Sequence, residues 1–201
     1  MKNNRTRQRN KDSSLSRDAR VQRQLNNVVD QDLVIHRKLA VASTYASDGS
    51  GVMASLAWHS GNIQGSATGY SAMASVWGEY RCKSMRVTLF PVYSVNTTAP
   101  ILPPPVIGSA SYVGAEVYSS YSALVDGMNS RNHGPYKPIV ATTDASANPN
   151  AKLWTQVTTG AIETDRRIGV QFRGTGLLAA TPSTTFFIVI VEWLVQWRMS
   201  A

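Results

Sequence analysis

The segment that most constrains the fold lies close to the C-terminus. Residues 186–197 have the sequence FFIVIVEWLVQW, in which every odd position is apolar whereas Glu192 and Gln196 interrupt the even positions. Apolar residues with a period of two predict a β-strand, and the β-branched and aromatic side chains favour the same structure. At ~3.3 Å per residue the strand would span roughly 40 Å, so we expect it inside a large sheet. The run is too short for a membrane helix, which needs about 20 apolar residues.

The basic residues of the chain are concentrated at its N-terminus. Residues 1–38 contain ten Lys or Arg against four Asp, whereas residues 39–201 contain ten against eight Asp or Glu. A basic arm beside a nearly neutral body is typical of proteins with a polyanionic partner. We therefore divide the chain into a basic, partly disordered N-terminal arm over residues 1–33, with room for a short amphipathic helix, and one globular domain over residues 34–201.

The arm supplies the candidate nucleic-acid-binding residues. These are Lys2, Arg5, Arg7, Arg9, Lys11, Arg17, Arg20 and Arg23. The last three recur at intervals of three, which would align them along one side of a short helix, although a solvated helix face with scattered charge is the alternative interpretation. No aromatic residue interleaves with these cations before Tyr45, so we expect them to neutralise phosphates rather than to stack on bases.

From about residue 34 onwards the sequence pattern is that of β-structure. We predict strands around residues 39–41, 52–58, 80–93, 112–118, 139–142, 153–157, 168–173 and 186–197. Helical signals occur only near residues 70–77 and 119–128, and residues 99–106 form a proline-rich connector. Long, uneven connections favour a jelly roll over an up-and-down barrel. The predicted fold class is an all-β, eight-stranded jelly-roll sandwich with a basic N-terminal arm and one or two short helices in connections.

Sequence patterns of catalytic and redox sites are missing or incomplete. His36, His59 and His133 lie far apart, and none has metal-ligand spacing with another His or with Cys82. Residues 174–179, GTGLLA, match a loose dinucleotide pattern, but Thr, Pro and Ser follow where that pattern requires a helix. A Gly-x-Ser-x-Gly elbow is also missing. We therefore predict that the protein is not an enzyme. A single cysteine excludes an intrachain disulfide and favours folding in a reducing compartment.

Acidic residues could hold calcium only between neighbouring copies of the chain. Asp126, Asp144, Glu163 and Asp165 are candidates in loops or at strand ends, but a site shared between chains follows no spacing rule. We assign none of them as a ligand, and we predict no cofactor; calcium between subunits has no support in the sequence.

Three segments together resemble the coat proteins of small icosahedral viruses with a single jelly roll, such as those of satellite necrosis, sobemo-like and tombus-like plant viruses. They are the basic arm over residues 1–23, the segment SVWGEYRCKSMRVTLFPV over residues 75–92, and residues 186–197. In the middle segment a short helix would lead into a strand with an aromatic-Arg start at Tyr80 and Arg81 and a closing Pro91.

This resemblance implies a viral capsid protein that self-assembles into an icosahedral shell and packages the genome through its basic arm. The implied partners are other copies of the chain and genomic nucleic acid, with RNA preferred over single-stranded DNA, and no membrane. The implied location is the virion, assembled in the cytoplasm or nucleus of the host cell. The alternative hypothesis is a non-assembling nucleic-acid-binding chaperone or movement-type protein with a β-sandwich body. An enzyme or lectin on a jelly roll is a third, for which the sequence offers no site.

Overall fold

Nine β-strands account for most of the regular structure in the part of the chain that the structure describes. The computed structural model describes residues 33–92, 106–115, 117–134, 137–174 and 183–199. The strands are β1 (Ile35–Ala46), β2 (Leu56–His59), β3 (Glu79–Pro91), β4 (Ile107–Val113), β5 (Arg131–His133), β6 (Ile139–Asp144), β7 (Thr155–Gln156), β8 (Ile168–Gly174) and β9 (Thr185–Arg198).

Helices are short and lie in the connections between strands. The α-helices are α1 (Ile63–Ser66), α2 (Tyr70–Ala74) and α3 (Tyr121–Val125). Single 3₁₀ turns cover Ser60–Asn62, Pro149–Lys152, Val157–Thr159 and Thr164–Arg166. Within the described part of the chain, none of these helices has the length and apolar character needed to cross a membrane.

The strands form two antiparallel sheets with the topology of a jelly roll. Sheet 1 has the order β1-β9-β3-β6, and β7 pairs with the start of β3. Sheet 2 has the order β2-β8-β4-β5. Apart from the β4-β5 pair, successive strands of these eight lie in opposite sheets, which is the winding of a jelly roll. The predicted fold class is therefore confirmed, and β7 is a two-residue addition to the eight strands.

Strand β9 lies between β1 and β3 and supplies the centre of the core. Its register places Trp193 between Leu39 on β1 and Met85 on β3. The six apolar residues at its odd positions, from Phe187 to Trp197, are fully buried. The ring of Trp193 meets that of Trp58 on sheet 2 edge to face, with centroids 6.0 Å apart. The predicted long internal strand is confirmed, because its apolar row fills the space between the sheets.

An aromatic cluster closes the core at the end of sheet 1 where β3 begins. Tyr80 stacks on Trp197 with ring centroids 5.3 Å apart, and Tyr70 contacts both rings. Gly69 precedes α2 with a φ of 87°, a left-handed conformation that glycine adopts without steric cost. This turn lets α2 begin with Tyr70 directed into the core.

Strand β4 lies five residues earlier in the sequence than predicted. The prediction placed it at residues 112–118, where the β-branched and aromatic residues are, but the strand ends at Val113 before Gly114, whose φ is 69°. After Ile107 its residues 108–111 are small, and α3 packs directly on Gly108. A Cβ atom at Gly108 would lie 2.9 Å from side-chain atoms of Leu124 and Tyr121. Packing therefore overrides strand propensity in β4.

The other differences concern short strands. Strand β2 covers Leu56–His59 where residues 52–58 were predicted, and β7 covers only Thr155–Gln156 of the predicted residues 153–157. Strand β5 was not predicted, because Arg131–His133 is three polar residues long and forms a strand only by pairing with β4.

Candidate assembly and nucleic-acid-binding face

The side of sheet 1 that faces away from sheet 2, which we call the outer face, carries the even-numbered residues of β9. Four apolar residues lie close together on it. Phe90 pairs with Ile188, and Thr88 lies between Ile190 and Val140. Ile188, Phe90 and Val140 remain 46%, 40% and 38% exposed. We call Phe90, Val140, Ile188 and Ile190 the apolar patch; contiguous exposed apolar residues of this kind mark interaction surfaces.

A charged row crosses the outer face next to the apolar patch. Glu192 on β9 forms ion pairs with Lys38 on β1 and, at 4.0 Å, with Arg86 on β3. This is the residue that interrupts the apolar row of residues 186–197 in the sequence. Because it has a cation on each neighbouring strand, the carboxylate is tolerated in the middle of the sheet surface. The row separates the apolar patch from a basic region at the end of the sheet.

Two arginines share one tryptophan in that basic region. The guanidinium carbons of Arg81 and Arg198 lie 4.3 and 4.5 Å from the ring centroid of Trp154. Arg198 forms an ion pair with Glu79. Arg81 instead donates hydrogen bonds to Gln196 Oε1 (2.7 Å) and to a backbone carbonyl (2.6 Å). Burial, and then the charge of Arg198, lowers the pKa of Arg81, so its positive charge is held in an unfavourable environment.

A cleft of about 630 Å³ opens beside Arg81. A bulge in β3 between Cys82 and Ser84 takes Lys83 out of the pairing with β9. Lys152, at the end of a 3₁₀ turn, lines the cleft with Arg81 and Lys83. We call this site, defined by Arg81, Lys83 and Lys152, the basic cleft.

One carboxylate also lines the basic cleft. Asp144 accepts hydrogen bonds from the hydroxyl of Ser146 and, at 2.7 Å, from its backbone N–H. These bonds, the hydroxyl first, and then the positive charge of Lys83 lower the pKa of Asp144. Its oxygen is thus engaged with the turn that follows β6, and Lys83 has no ion pair with it.

The eight candidate residues of the arm, from Lys2 to Arg23, lie outside the described residues, as does the predicted arm helix. Their role and the boundary of the arm stay predictions. Sequence reasoning missed the basic cleft because Lys152 is far from Arg81 and Lys83 in the chain. The only local signal was the Arg-x-Lys spacing of residues 81 and 83, which with a regular strand would place both on one face.

The candidate calcium ligands do not converge within the described residues. Glu163 forms an ion pair with Arg166 at 2.9 Å. In the same part of the chain no group of three or more His, Cys, Asp and Glu residues could hold a metal ion. A calcium site that is completed by a neighbouring copy stays untested, and so does the predicted lack of any cofactor.

The three histidines occupy strand ends. His36 Nε2 lies 3.0 Å from Gln196 Nε2, and His133 Nε2 lies 2.7 Å from Ser109 Oγ. His59 ends β2, and its Nδ1 is buried without a hydrogen-bond partner among the described residues. A Cβ atom at Gly61 would lie 2.7 Å from Arg167 Nε and 2.9 Å from His59 Nδ1, so imidazole and guanidinium converge there. Burial, and then Arg167, lowers the pKa of His59 to about 4.

No protein-family model matches the sequence, and no curated protein matches it. Solved structures do match. The structure of Cocksfoot mottle virus matches with a TM-score of 0.57 and 7% sequence identity, and the match covers 83% of this chain and 97% of that chain. The structure of the Macrobrachium rosenbergii nodavirus particle matches with a TM-score of 0.60 and 13% sequence identity over 86% of each chain. The structure of the 60-mer BFDV capsid protein matches with a TM-score of 0.56 and 9% sequence identity, and the match covers 86% of this chain and 97% of that chain. The chain thus has the jelly-roll fold of these icosahedral capsid proteins, and the resemblance found in its sequence is confirmed.

Replacing His59 by Gln should make the protein less sensitive to acid. The folded state holds the pKa of His59 near 4 against an ordinary value of 6.5. Protonation therefore favours the unfolded chain, and the contribution of neutral His59 is lost as the pH falls through 6.5 towards 4. We expect the urea midpoint of the wild type to fall more between about pH 7.5 and 5 than that of His59→Gln.

The matched control is His36→Gln, which removes an exposed imidazole from the start of β1. It should keep the wild-type pH dependence. If acidification lowers the stability of the wild type and of His59→Gln equally, the acid sensitivity does not come from His59.

Proposed function

We propose that this chain is a viral capsid protein that self-assembles into an icosahedral shell and packages nucleic acid through its basic N-terminal arm. The observation that carries the proposal is the strand order of the two sheets, β1-β9-β3-β6 and β2-β8-β4-β5, in a fold shared over more than four fifths of the chain with capsid proteins of several viruses. A subunit of a larger assembly also explains why the apolar patch is exposed, since a neighbouring subunit would cover it.

The occupant we propose for the apolar patch is another copy of the same chain. The patch lies on a sheet whose hydrogen-bonding groups are already paired within the subunit at β9 and β3, so association would proceed through side chains. The charged row of Lys38, Glu192 and Arg86 beside it can fix the orientation of a neighbour. Burial of about four apolar side chains per subunit would hold a single pair of subunits only weakly. In a closed shell every subunit makes several such contacts, so the association becomes strong.

The arm is the proposed genome-binding element. Its eight Lys or Arg against four Asp over residues 1–33, an excess of four positive charges, give each chain a modest, salt-dependent attraction to phosphates. Many arms inside one shell would turn this into strong binding without sequence recognition. We propose RNA rather than single-stranded DNA as the packaged polymer, and the virion, formed in the cytoplasm or nucleus of the host cell, as the location.

Placing a charge in the apolar patch should prevent assembly without unfolding the subunit. Wild-type chain should sediment as megadalton particles, whereas Ile188→Lys should sediment as small species, because the buried lysine would be unpaired at the contact. Circular dichroism should show the same β-spectrum for both. The matched control is Val76→Lys, which charges a residue 59% exposed outside the sheets and should leave assembly intact.

Two results would count against this proposal. Particles formed by Ile188→Lys would show that the apolar patch is not a contact. A wild-type chain that stays monomeric or dimeric at all salt and nucleic-acid concentrations would favour the alternative, a non-assembling nucleic-acid-binding chaperone or movement-type protein.

Removing the positive charges of the arm should yield shells with little nucleic acid. The variant replaces with Gln each of Lys2, Arg5, Arg7, Arg9, Lys11, Arg17, Arg20 and Arg23. Since these side chains would supply most of the phosphate contacts, we expect the ratio of absorbance at 260 and 280 nm of purified particles to fall towards that of protein alone. Particles that carry as much nucleic acid as the wild type would show that the arm is not the packaging element.

A further inference from the structure

The basic cleft holds three cations and one carboxylate, Asp144, whose pKa the charge of Lys83 helps to lower. Arg81, Lys83 and Lys152 form no ion pair there, in contrast to Arg198, which is paired with Glu79. Arg81 uses its Nε and one terminal nitrogen for hydrogen bonds, and its second terminal nitrogen bonds to no described residue. Three cations against one carboxylate that is already hydrogen-bonded to Ser146 leave the cleft with an excess of positive charge, which suits an anion with several acceptor oxygens.

The arrangement of Arg81 keeps its donors in place. Its guanidinium is held between Gln196 Oε1, a backbone carbonyl and the face of Trp154. A guanidinium fixed on an aromatic ring loses little entropy when it binds an oxyanion. The nearby Arg198 charge disfavours the cation, so a bound anion would relieve a repulsion that exists in the free protein.

We propose that the basic cleft binds the phosphodiester backbone of the packaged nucleic acid, as a second contact on the body of the subunit. This inference rests on the proposed packaging function. A volume of about 630 Å³ fits a phosphate with its sugar. Leu153, which is half exposed, and Trp154 directly follow Lys152 in the chain, so apolar surface lies next to the cations. In a single-stranded nucleic acid the bases lie next to the phosphates in the same way.

The basic cleft and the arm belong to one chain. Strand β1 begins at Ile35, which pairs with Trp197, and the next residue of β9 is Arg198 beside Trp154. The arm is therefore covalently joined to the end of sheet 1 that carries the basic residues. A nucleic-acid strand that is bound by the arm stays tethered to the same chain as the cleft. Its effective concentration at the cleft is therefore high, and each contact strengthens the other.

The test compares full-length variants for binding to a fluorescein-labelled 12-nucleotide poly(U) RNA. The cleft variant carries Lys83→Gln and Lys152→Gln; both side chains are exposed and form no hydrogen bond or ion pair that the fold needs. The control variant carries Arg131→Gln and Lys137→Gln, which remove the same charge elsewhere on the surface. Fluorescence anisotropy at several salt concentrations gives the affinity and its salt dependence for each.

We expect the cleft variant to bind more weakly than the control, with the slope of log K against log salt reduced by about 0.7 for each lysine that contacts a phosphate. Identical slopes and affinities for the cleft and control variants would overturn the site. The arm variant with eight Gln substitutions distinguishes the two proposals: if it binds as tightly as the wild type while the cleft variant is weakened, the arm proposal fails and the cleft survives.

Photo-cross-linking of the wild-type complex supplies an independent measurement. With 5-bromouridine in the RNA, mass spectrometry should find cross-links in peptides that contain residues 79–86 or 150–156. Cross-links confined to the arm would overturn the cleft as a nucleic-acid site. Weaker binding of the cleft variant to poly-glutamate, with unchanged binding to RNA, would also overturn it and would assign the cleft to an acidic protein.

Discussion

The burial of one face of β9 between its neighbours and sheet 2 is the interaction on which the rest of the structure depends. Phe187, Trp193 and Trp197 are fully buried, and each contacts an aromatic ring from another element. Because apolar surface contributes about 25 cal/mol per Å² removed from water, the burial of these three large side chains stabilises the fold. Strands β1 and β3 find their register by pairing with it along nearly its full length.

The opposite face of the same strand organises the surface. Because side chains alternate along a strand, the residues that lie between the core positions must point outwards. Ile188 and Ile190 build the apolar patch, Glu192 fixes the charged row, and Gln196 orients Arg81 beside the basic cleft. A single fourteen-residue strand thus links the core to the surfaces proposed for assembly and for phosphate binding.

The strands that could be predicted from the sequence are those whose own alternation of apolar and polar residues matches their burial. This holds for β9 and β3, whereas in β8 the alternation predicts the strand although Gln171 between its apolar residues is buried too. It fails for β4, where Gly108 and the small residues after it are selected by contact with α3, and for β5, which exists only through pairing. The basic cleft was missed for a related reason: a β3 bulge and the turn before β7 bring Lys83 and Lys152 together, and neither contact has a local sequence signature.

Hydrogen exchange of the isolated subunit tests the central role of β9 most directly. The amides of β9 are paired with β1 on one side and β3 on the other, so they should exchange only when the whole domain unfolds. We predict that the slowest amides of the protein lie between Val189 and Val195. Exchange of these amides as fast as that of the short helices between β2 and β3 would contradict the structure proposed for the core and the surfaces built on it.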